Sequence, residues 1–307
     1  MSIESCIAFF QELTAADELK QQMKATTDTK ELIVIGKRYG YTFDANDLVE
    51  ASNSFRGGAT ARKTDAPASR AVHDTTAFYH YEFDMKQIPG FEEINRELDN
   101  LKVKPSTVDL DLYEKSFRQD DLQFTSLSPA APEFMQYYEE VMRPRRRDVS
   151  NQAGHDFSRR DFHLINLDQH VEYPLYEQYF QAKTRMISHL EAFFGAEVQF
   201  SGSMWYPPSA YRLWHTNETQ PGWRMYLIDF DEPGGSSGGT SFFRYMNPQN
   251  QEIVTLAERP KLVRFFKIEQ EKDKLFWHCI VNATTRNRWS FGFAVPENWL
   301  EKFPRQS

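Results

Sequence analysis

The chain has 307 residues, 40% of them hydrophobic and 15% aromatic, which is enough for one large domain with a small appendage. Its net charge of −8 argues against general nucleic-acid binding, because such binding needs a basic surface. Two distant cysteines, Cys6 and Cys279, suit a reducing cytoplasm and argue against a zinc–cysteine site. No apolar run approaches a membrane span, and the start "MSIESCIAFFQEL" lacks the basic region of a secretory signal. We therefore expect a cytoplasmic protein with neither a nucleic-acid nor a membrane partner.

The first fifty residues predict a small helical module. Apolar residues recur at helical spacing after Ser2, and "TKELIVIGKRYG" predicts a second helix that ends at Gly40. "FDANDLVEA" predicts a third short helix, capped by Asp44 or Asn46. The residues expected to be buried are Ile3, Ile7, Phe10, Leu13, Leu32, Ile33, Ile35 and Gly36.

Residues 1–53 resemble the Nif11 family in the start "MSIES", the pair "FF", and the segments "ADELKQQM", "IGKRYGYTF" and "ANDLVEA". The resemblance implies either a leader segment of a ribosomal natural-product precursor or a fused recognition domain. Some 250 further residues of globular composition favour the fused domain, because a precursor carries only a short core peptide after its leader.

Residues 54–75 are rich in Gly, Ala, Ser and Thr and predict a flexible linker. The pair Gly57–Gly58 leaves open a second interpretation, in which a protease cleaves the chain after the double glycine. We favour the linker.

Residues 76–195 form a predicted helical half of the main domain. "GFEEINRELDNL", "PEFMQYYEEVMR" and a long segment from Pro174 to Gly195 each show a helical pattern. The basic segment Arg143–Asp148 is interpreted as a solvated helix end, with an anion-binding wall as the alternative. His155, His163 and His189 are interpreted as structural, and His163 lies in a segment that could form a strand.

From residue 196 to 297, eight short runs of aromatic and β-branched residues alternate with turn segments such as "YPPS" and "ETQPG". Eight strands at this spacing after a helical half predict an α+β fold, namely a jelly roll with helices on one face. The complete oxygenase-like domain is expected to span residues 76–307.

Polar residues in these strands predict a metal site. His215 ends one predicted strand and His278 lies in another, and two histidines from distant strands of a jelly roll can converge on one iron ion. Arg288 offers a planar fork that suits a carboxylate, and Ser290 points to the same face of its strand. Together they could hold one end of a dicarboxylate.

The residues His215, Asn217, His278, Arg288 and Ser290 resemble the site pattern of the iron(II)- and 2-oxoglutarate-dependent oxygenases. The resemblance covers about residues 190–297 and implies a double-stranded β-helix of cupin type, iron(II), 2-oxoglutarate and dioxygen. "PGWRMYL" and "GGTSFF" resemble neighbouring segments of that family. Tyr206, Tyr211, Tyr226 and Arg224 are candidates for lining the cosubstrate pocket, or else for core packing.

Asn217 departs from the family pattern, which has a carboxylate at this position. Three interpretations remain: the amide oxygen binds iron, iron is held by the two histidines and small molecules, or the site is inactive. Glu218 could replace the carboxylate only if a local bulge turned it toward His215. Halogenation is disfavoured because halogenases carry a smaller residue here.

We therefore predict an oxygenase that hydroxylates, or oxidatively dealkylates, a natural product or peptide, with a small carboxylated metabolite as another possible substrate. The alternative is a non-catalytic cupin-like binding module of a biosynthetic complex. The sequence identifies neither the second substrate nor the oligomeric state.

Overall fold

The structure is a computed structural model, and it describes residues 3–13, 16–26, 29–48, 51, 80–147, 159–232 and 239–303. The chain divides into two compact units, residues 1–79 and residues 80–307. The predicted linker 54–75, Gly57–Gly58 and His155 lie outside the described residues, as do the side chains of residues 143–147. None of the helices within the described residues is both long and apolar enough to cross a membrane.

The first unit is helical, as predicted, but it has one helix that the sequence analysis omitted. Its helices are α1 (Ile3–Leu13), α2 (Asp17–Lys24) and α3 (Thr29–Arg38), followed by a helical turn over residues 45–48. The omitted helix is α2, whose polar sequence DELKQQMK has only Leu19 and Met23 as large apolar residues. Gly36 is required inside α3, because a Cβ there would lie 2.4 Å from the ring of Phe43.

The second unit is a double-stranded β-helix, so the predicted fold class is confirmed. All eight predicted strands form, and three further strands extend the two sheets. The strands are β1 (His80–Asp84), β2 (Phe162–His163), β3 (Ile165–Asn166), β4 (Gln199–Tyr206), β5 (Tyr211–His215), β6 (Gly222–Phe230), β7 (Ser241–Met246), β8 (Ile253–Ala257), β9 (Leu262–Ile268), β10 (His278–Asn282) and β11 (Arg288–Ala294).

Two antiparallel sheets face each other. The larger has the order β1-β9-β6-β11-β4-β3 and the smaller the order β2-β5-β10-β7-β8. From β4 to β11 the chain changes sheet at every step except between β7 and β8, which are neighbours in the smaller sheet, and this is the jelly-roll arrangement. Within a strand, side chains alternate between the space between the sheets and the outer face.

Helices cover the outer faces of both sheets, whereas the sequence analysis expected them on one face. The helices of this unit are α4 (Glu92–Leu101), α5 (Leu110–Lys115), α6 (Gln119–Gln123), α7 (Pro132–Arg147), α8 (Leu167–His170) and α9 (Leu175–Phe194). Helix α9 lies over the larger sheet, where Tyr179 donates a hydrogen bond to Ser203 on β4. Helix α7 covers the smaller sheet, because Tyr137 and Val141 pack with Leu213 of β5.

The long helix α9 begins and ends where the sequence predicts. It follows Pro174 and ends at Gly195, which has the left-handed φ of 67° that favours glycine. Its buried residues recur every three or four positions, as in Tyr179, Lys183, Met186 and Leu190. The buried ammonium group of Lys183 is 2.9 Å from the carboxylate of Asp168, at the start of α8.

His163 is a structural histidine, in agreement with the sequence analysis. It is 3% exposed and its ring stacks on Tyr113 with centroids 4.0 Å apart. Burial lowers its pKa to about 4.

We expect His163 to make the protein less stable in mild acid. Its folded pKa is below the unfolded value of 6.5, so the unfolded chain binds more protons between pH 6.5 and 4 and the folded state loses stability as pH falls through that window. One such proton contributes about 1.4 kcal/mol per pH unit. In urea unfolding at pH 7, 6 and 5, His163→Phe should show a shallower decline than the wild type. Equal declines would contradict the assignment.

Candidate functional site

The space between the sheets contains a cavity of about 280 Å³, at the lower end of ligand-site volumes. This size suits a small organic molecule. Most of the residues that the sequence analysis selected line it: Tyr206, Asn217, Tyr226, His278, Arg288 and Ser290. The other lining residues are Ser201, Gly202, Met204, Arg212, Thr219, Gln220, Phe243, Arg264, Phe266, Ile268 and Ile280.

His215 and His278 lie side by side at the edge where β5 and β10 pair. They are direct partners in the ladder, and their ring centroids are 4.0 Å apart. Each Nδ1 is held by a backbone carbonyl two residues earlier, that of Leu213 at 2.8 Å and that of Phe276 at 2.9 Å. These contacts place the proton on Nδ1 and leave a lone pair on each Nε2, as in histidines that bind metals.

His278 is neutral over the physiological range. It is 2% exposed, and burial lowers its pKa to about 3, helped by the positive charges of Arg212 and Arg264. A neutral imidazole is the form that binds a metal ion. His215 contacts the ring of His278 but is not among the described residues that line the cavity.

Asn217 turns its amide oxygen away from the histidines. Its Oδ1 accepts a hydrogen bond from Nη2 of Arg212 at 2.9 Å, while its Nδ2 is 3.5 Å from Nε2 of His278. An arginine can only donate, so this contact identifies the oxygen. Asn217 has a φ of 56°, a left-handed conformation in which asparagine is common. In this arrangement the amide offers no oxygen to a metal beside His278.

Glu218 does not replace the missing carboxylate. Its Oε2 accepts a hydrogen bond from the hydroxyl of Thr216, and Gln270 donates to its backbone carbonyl at 3.2 Å. Within the described residues, no group of three or more His, Cys, Asp or Glu side chains could hold a metal ion.

Arg288 lines the cavity, but one edge of its guanidinium already holds a carboxylate. Nε and Nη2 of Arg288 donate to Glu258 at 2.6 and 2.8 Å, and Arg264 donates to the same carboxylate at 2.7 Å. The fork that the sequence analysis assigned to a dicarboxylate is therefore occupied by Glu258. The Nη1 atom of Arg288 has no hydrogen-bond partner among the described residues, and the guanidinium lies over the ring of Tyr206 at 4.4 Å.

Glu258 is fully buried and ionised. Burial by itself raises its pKa, but Arg288 and Arg264 outweigh burial and lower the pKa to about 2. This role of Glu258 is not evident from the sequence, because the residue follows the predicted strand "QEIVTL" and resembles a turn residue. The available signal was the arginine within the apolar strand "LVRFFKI", since a buried arginine requires a carboxylate partner.

Arg224 and Tyr211, two further candidates, have structural roles. Arg224 donates to the backbone carbonyls of Trp223 and Gln220 at 3.2 and 2.9 Å. Tyr211 packs on the outer face of its sheet with Tyr137. Tyr226 lines the cavity and stacks on Phe266 with centroids 5.0 Å apart.

A bulge in β5 adds an arginine that the sequence analysis also missed. His278 pairs with His215 and Ile280 with Arg212, so three steps along β5 match two steps along β10. The extra residue places Arg212 and His215 on the same face, although regular alternation would separate them. Arg212 consequently lines the cavity beside Asn217.

The described residues fit a metal ion in part. Two preorganised imidazoles suit iron, and the unpartnered Nη1 of Arg288 suits an oxygen of an organic acid. These residues include no carboxylate that could bind the metal ion. Arg288 can donate one further hydrogen bond through Nη1, whereas an unpaired guanidinium would donate two parallel ones to a carboxylate.

Comparisons with known proteins identify the N-terminal part. Residues 1–48 match the Nif11 domain, which confirms the predicted resemblance. No curated protein matches the chain.

Solved structures resemble the chain only weakly. A Pseudomonas putida prolyl-4-hydroxylase is 12% identical, over 65% of this chain and 96% of that one, with a TM-score of 0.27. An oxidoreductase of the 2OG-Fe(II) oxygenase family from Burkholderia pseudomallei is 9% identical, over 64% and 95%, with a TM-score of 0.29. An oxalate oxidase in complex with the substrate analogue glycolate is 9% identical, over 31% of this chain and only 40% of that one, with a TM-score of 0.23. Likenesses at these scores carry no argument about activity.

We predict that Glu258→Gln strongly destabilises the second unit. The substitution leaves the buried guanidinium of Arg288 without a counter-ion, and breaking a buried pair costs about 3–5 kcal/mol. The free energy of unfolding in urea measures the loss. The exposed Glu133→Gln is the matched control, expected within about 0.5 kcal/mol of wild type. Equal, small losses in the free energy of unfolding for Glu258→Gln and Glu133→Gln would show that the buried ion pairs contribute little to stability.

We predict that Gly292→Ala disturbs the cavity wall. A Cβ at this position would lie 2.8 Å from Oγ of Ser201 and 2.9 Å from Cε1 of Tyr226. Overpacking of this kind costs about 1–3 kcal/mol. In a Tyr226→Ala background the cost should shrink, because the ring is removed. Urea unfolding of the single and double variants provides the test, and an unchanged cost would exclude the ring as the cause.

Proposed function

We propose that the β-helix domain is an iron(II)-dependent oxygenase that uses 2-oxoglutarate. The observation that carries the proposal is the pair of imidazoles at His215 and His278, each fixed through Nδ1 to a backbone carbonyl. Iron(II) with 2-oxoglutarate, when bound, supplies the activation of dioxygen for oxidation of a second substrate. The protein itself positions the ligands.

The roles of the cavity residues follow from their contacts. His215 and His278 would hold the metal ion through Nε2. Arg288 contributes its free Nη1, and Ser290 its hydroxyl, to an oxygen of the organic acid; both side chains line the cavity on β11. The rings of Tyr206 and Tyr226 form part of the wall, and burial raises the pKa of both phenols so that they stay neutral.

The second substrate is proposed to be a natural product or peptide, with hydroxylation as the simplest outcome. The Nif11 match over residues 1–48 supports a link to natural-product chemistry. This support comes from association of domains and is independent of the site geometry.

A second candidate function, a binding module without turnover, is favoured by the ion pair between Arg288 and Glu258. The pair occupies the edge of Arg288 that would otherwise hold a dicarboxylate, and the amide of Asn217 faces Arg212. The module would bind an organic acid without iron.

We expect an anaerobic mixture of the protein, iron(II) and 2-oxoglutarate to show a metal-to-ligand charge-transfer band. His278→Ala should abolish the band because it removes one of the two imidazoles. His189→Ala, on helix α9, is the matched control and should leave the band unchanged. A wild-type protein without the band, but able to bind 2-oxoglutarate, would favour the binding module.

A further inference from the structure

The cavity contains three arginines, and two of them are neutralised within the protein. Arg264 donates to Glu82 at 2.8 Å and to Glu258 at 2.7 Å, and Arg288 donates twice to Glu258. Two guanidinium groups therefore share two carboxylates. Each of these two arginines therefore has a carboxylate partner inside the protein, and Glu82 is also shared with Arg259 at 3.6 Å.

Arg212 is the third arginine, and it keeps its charge. Its Nη2 donates to the neutral amide of Asn217, and its guanidinium lies 5.6 Å from the ring of Phe162. No carboxylate of the described residues forms an ion pair with it. The carboxylate that influences the pKa of Arg212 is that of Asp161, which is itself paired with Arg159 at 2.8 Å.

Arg212 is partly buried, and a cation drawn partly out of water is stabilised by a partner of opposite charge. The neighbouring side chain could have supplied it, because an aspartate at position 217 would lie at hydrogen-bond distance from Arg212. The chain has the isosteric amide instead. The guanidinium thus remains charged beside His278 and Asn217, within a cavity sized for a small molecule.

We infer that Arg212 is the residue that binds the carboxylate of the cavity's ligand, and that Asn217 keeps Arg212 available for it. The planar guanidinium matches a carboxylate and gives charge-assisted hydrogen bonds. The ligand class is a small organic acid. What the protein does with the bound acid rests on the proposed function. The binding of the acid by Arg212 does not itself require iron.

The test is calorimetric titration of the whole, metal-free protein, in the presence of a chelator, with succinate, with 2-oxoglutarate and with N-acetylglycine, a carboxylate that models a peptide substrate. Arg212→Gln should weaken binding by about tenfold or more, because the charge is lost. Arg212→Lys should lie between it and wild type, since the charge stays but the fork is lost. Arg244→Gln, which changes an arginine on the outer face of β7, should bind like wild type.

Asn217→Asp provides a second test that stays informative if the Arg212→Gln protein does not fold. The new carboxylate would pair with Arg212 from within, so we expect weaker binding of succinate, by about tenfold, and a thermal midpoint no lower than that of wild type. An Asn217→Asp protein that bound succinate like wild type, and that bound iron(II) more tightly in a separate titration without chelator, would overturn the inference.

The outcomes are separable. Wild-type protein that binds neither succinate, 2-oxoglutarate nor N-acetylglycine overturns the inference, as do Arg212→Gln or Asn217→Asp proteins that bind like wild type. Arg212-dependent binding of N-acetylglycine alone supports it and assigns the carboxylate to the second substrate. Arg212-dependent binding of succinate without any charge-transfer band upholds the inference while the oxygenase proposal fails.

Discussion

The buried carboxylate of Glu258 connects the two sheets of the β-helix from inside. Glu258 follows β8 in the smaller sheet, and Ser241 of β7 donates to it at 2.7 Å. Its partners Arg264 and Arg288 lie on β9 and β11 of the larger sheet. Because a charge buried in this position is tolerated only with its partners in place, the network fixes how the sheets face each other and where the cavity lies.

The same network decides which charges the cavity presents. Because Arg264 and Arg288 are paired with Glu258 and Glu82, the polar groups that remain for a ligand in the cavity include His278, Nη1 of Arg288, Ser290 and the charged Arg212. A cavity with this balance attracts an anion. The neutral amide of Asn217 beside Arg212 leaves the charge of that guanidinium without a carboxylate partner.

The local geometry of β5 explains how these groups meet. One extra residue in the strand opposite His278 and Ile280 turns both His215 and Arg212 inward. Bulges are common beside functional sites because they re-aim side chains without disturbing the rest of the sheet. Tyr211 and Leu213 still face outward, where they pack against helix α7.

The sequence by itself determined the eight strands β4 to β11 and the limits of helix α9, whereas His278, Arg288 and Ser290, which line one cavity, were selected together through the resemblance to a known site pattern. The strands and the helix limits follow from local patterns: turn residues, alternation along a strand, and a glycine at a helix end. The tertiary structure alone decided that Glu258 occupies Arg288, that Arg212 faces the cavity, and that β1 pairs with β9 to bring Glu82 to Arg264. Those contacts join residues far apart in the chain or depend on one inserted residue. Only the folded structure brings these residues together. Taken alone, each of them lies in a local sequence pattern that is typical of a turn, of the outer face of a strand or of a polar segment.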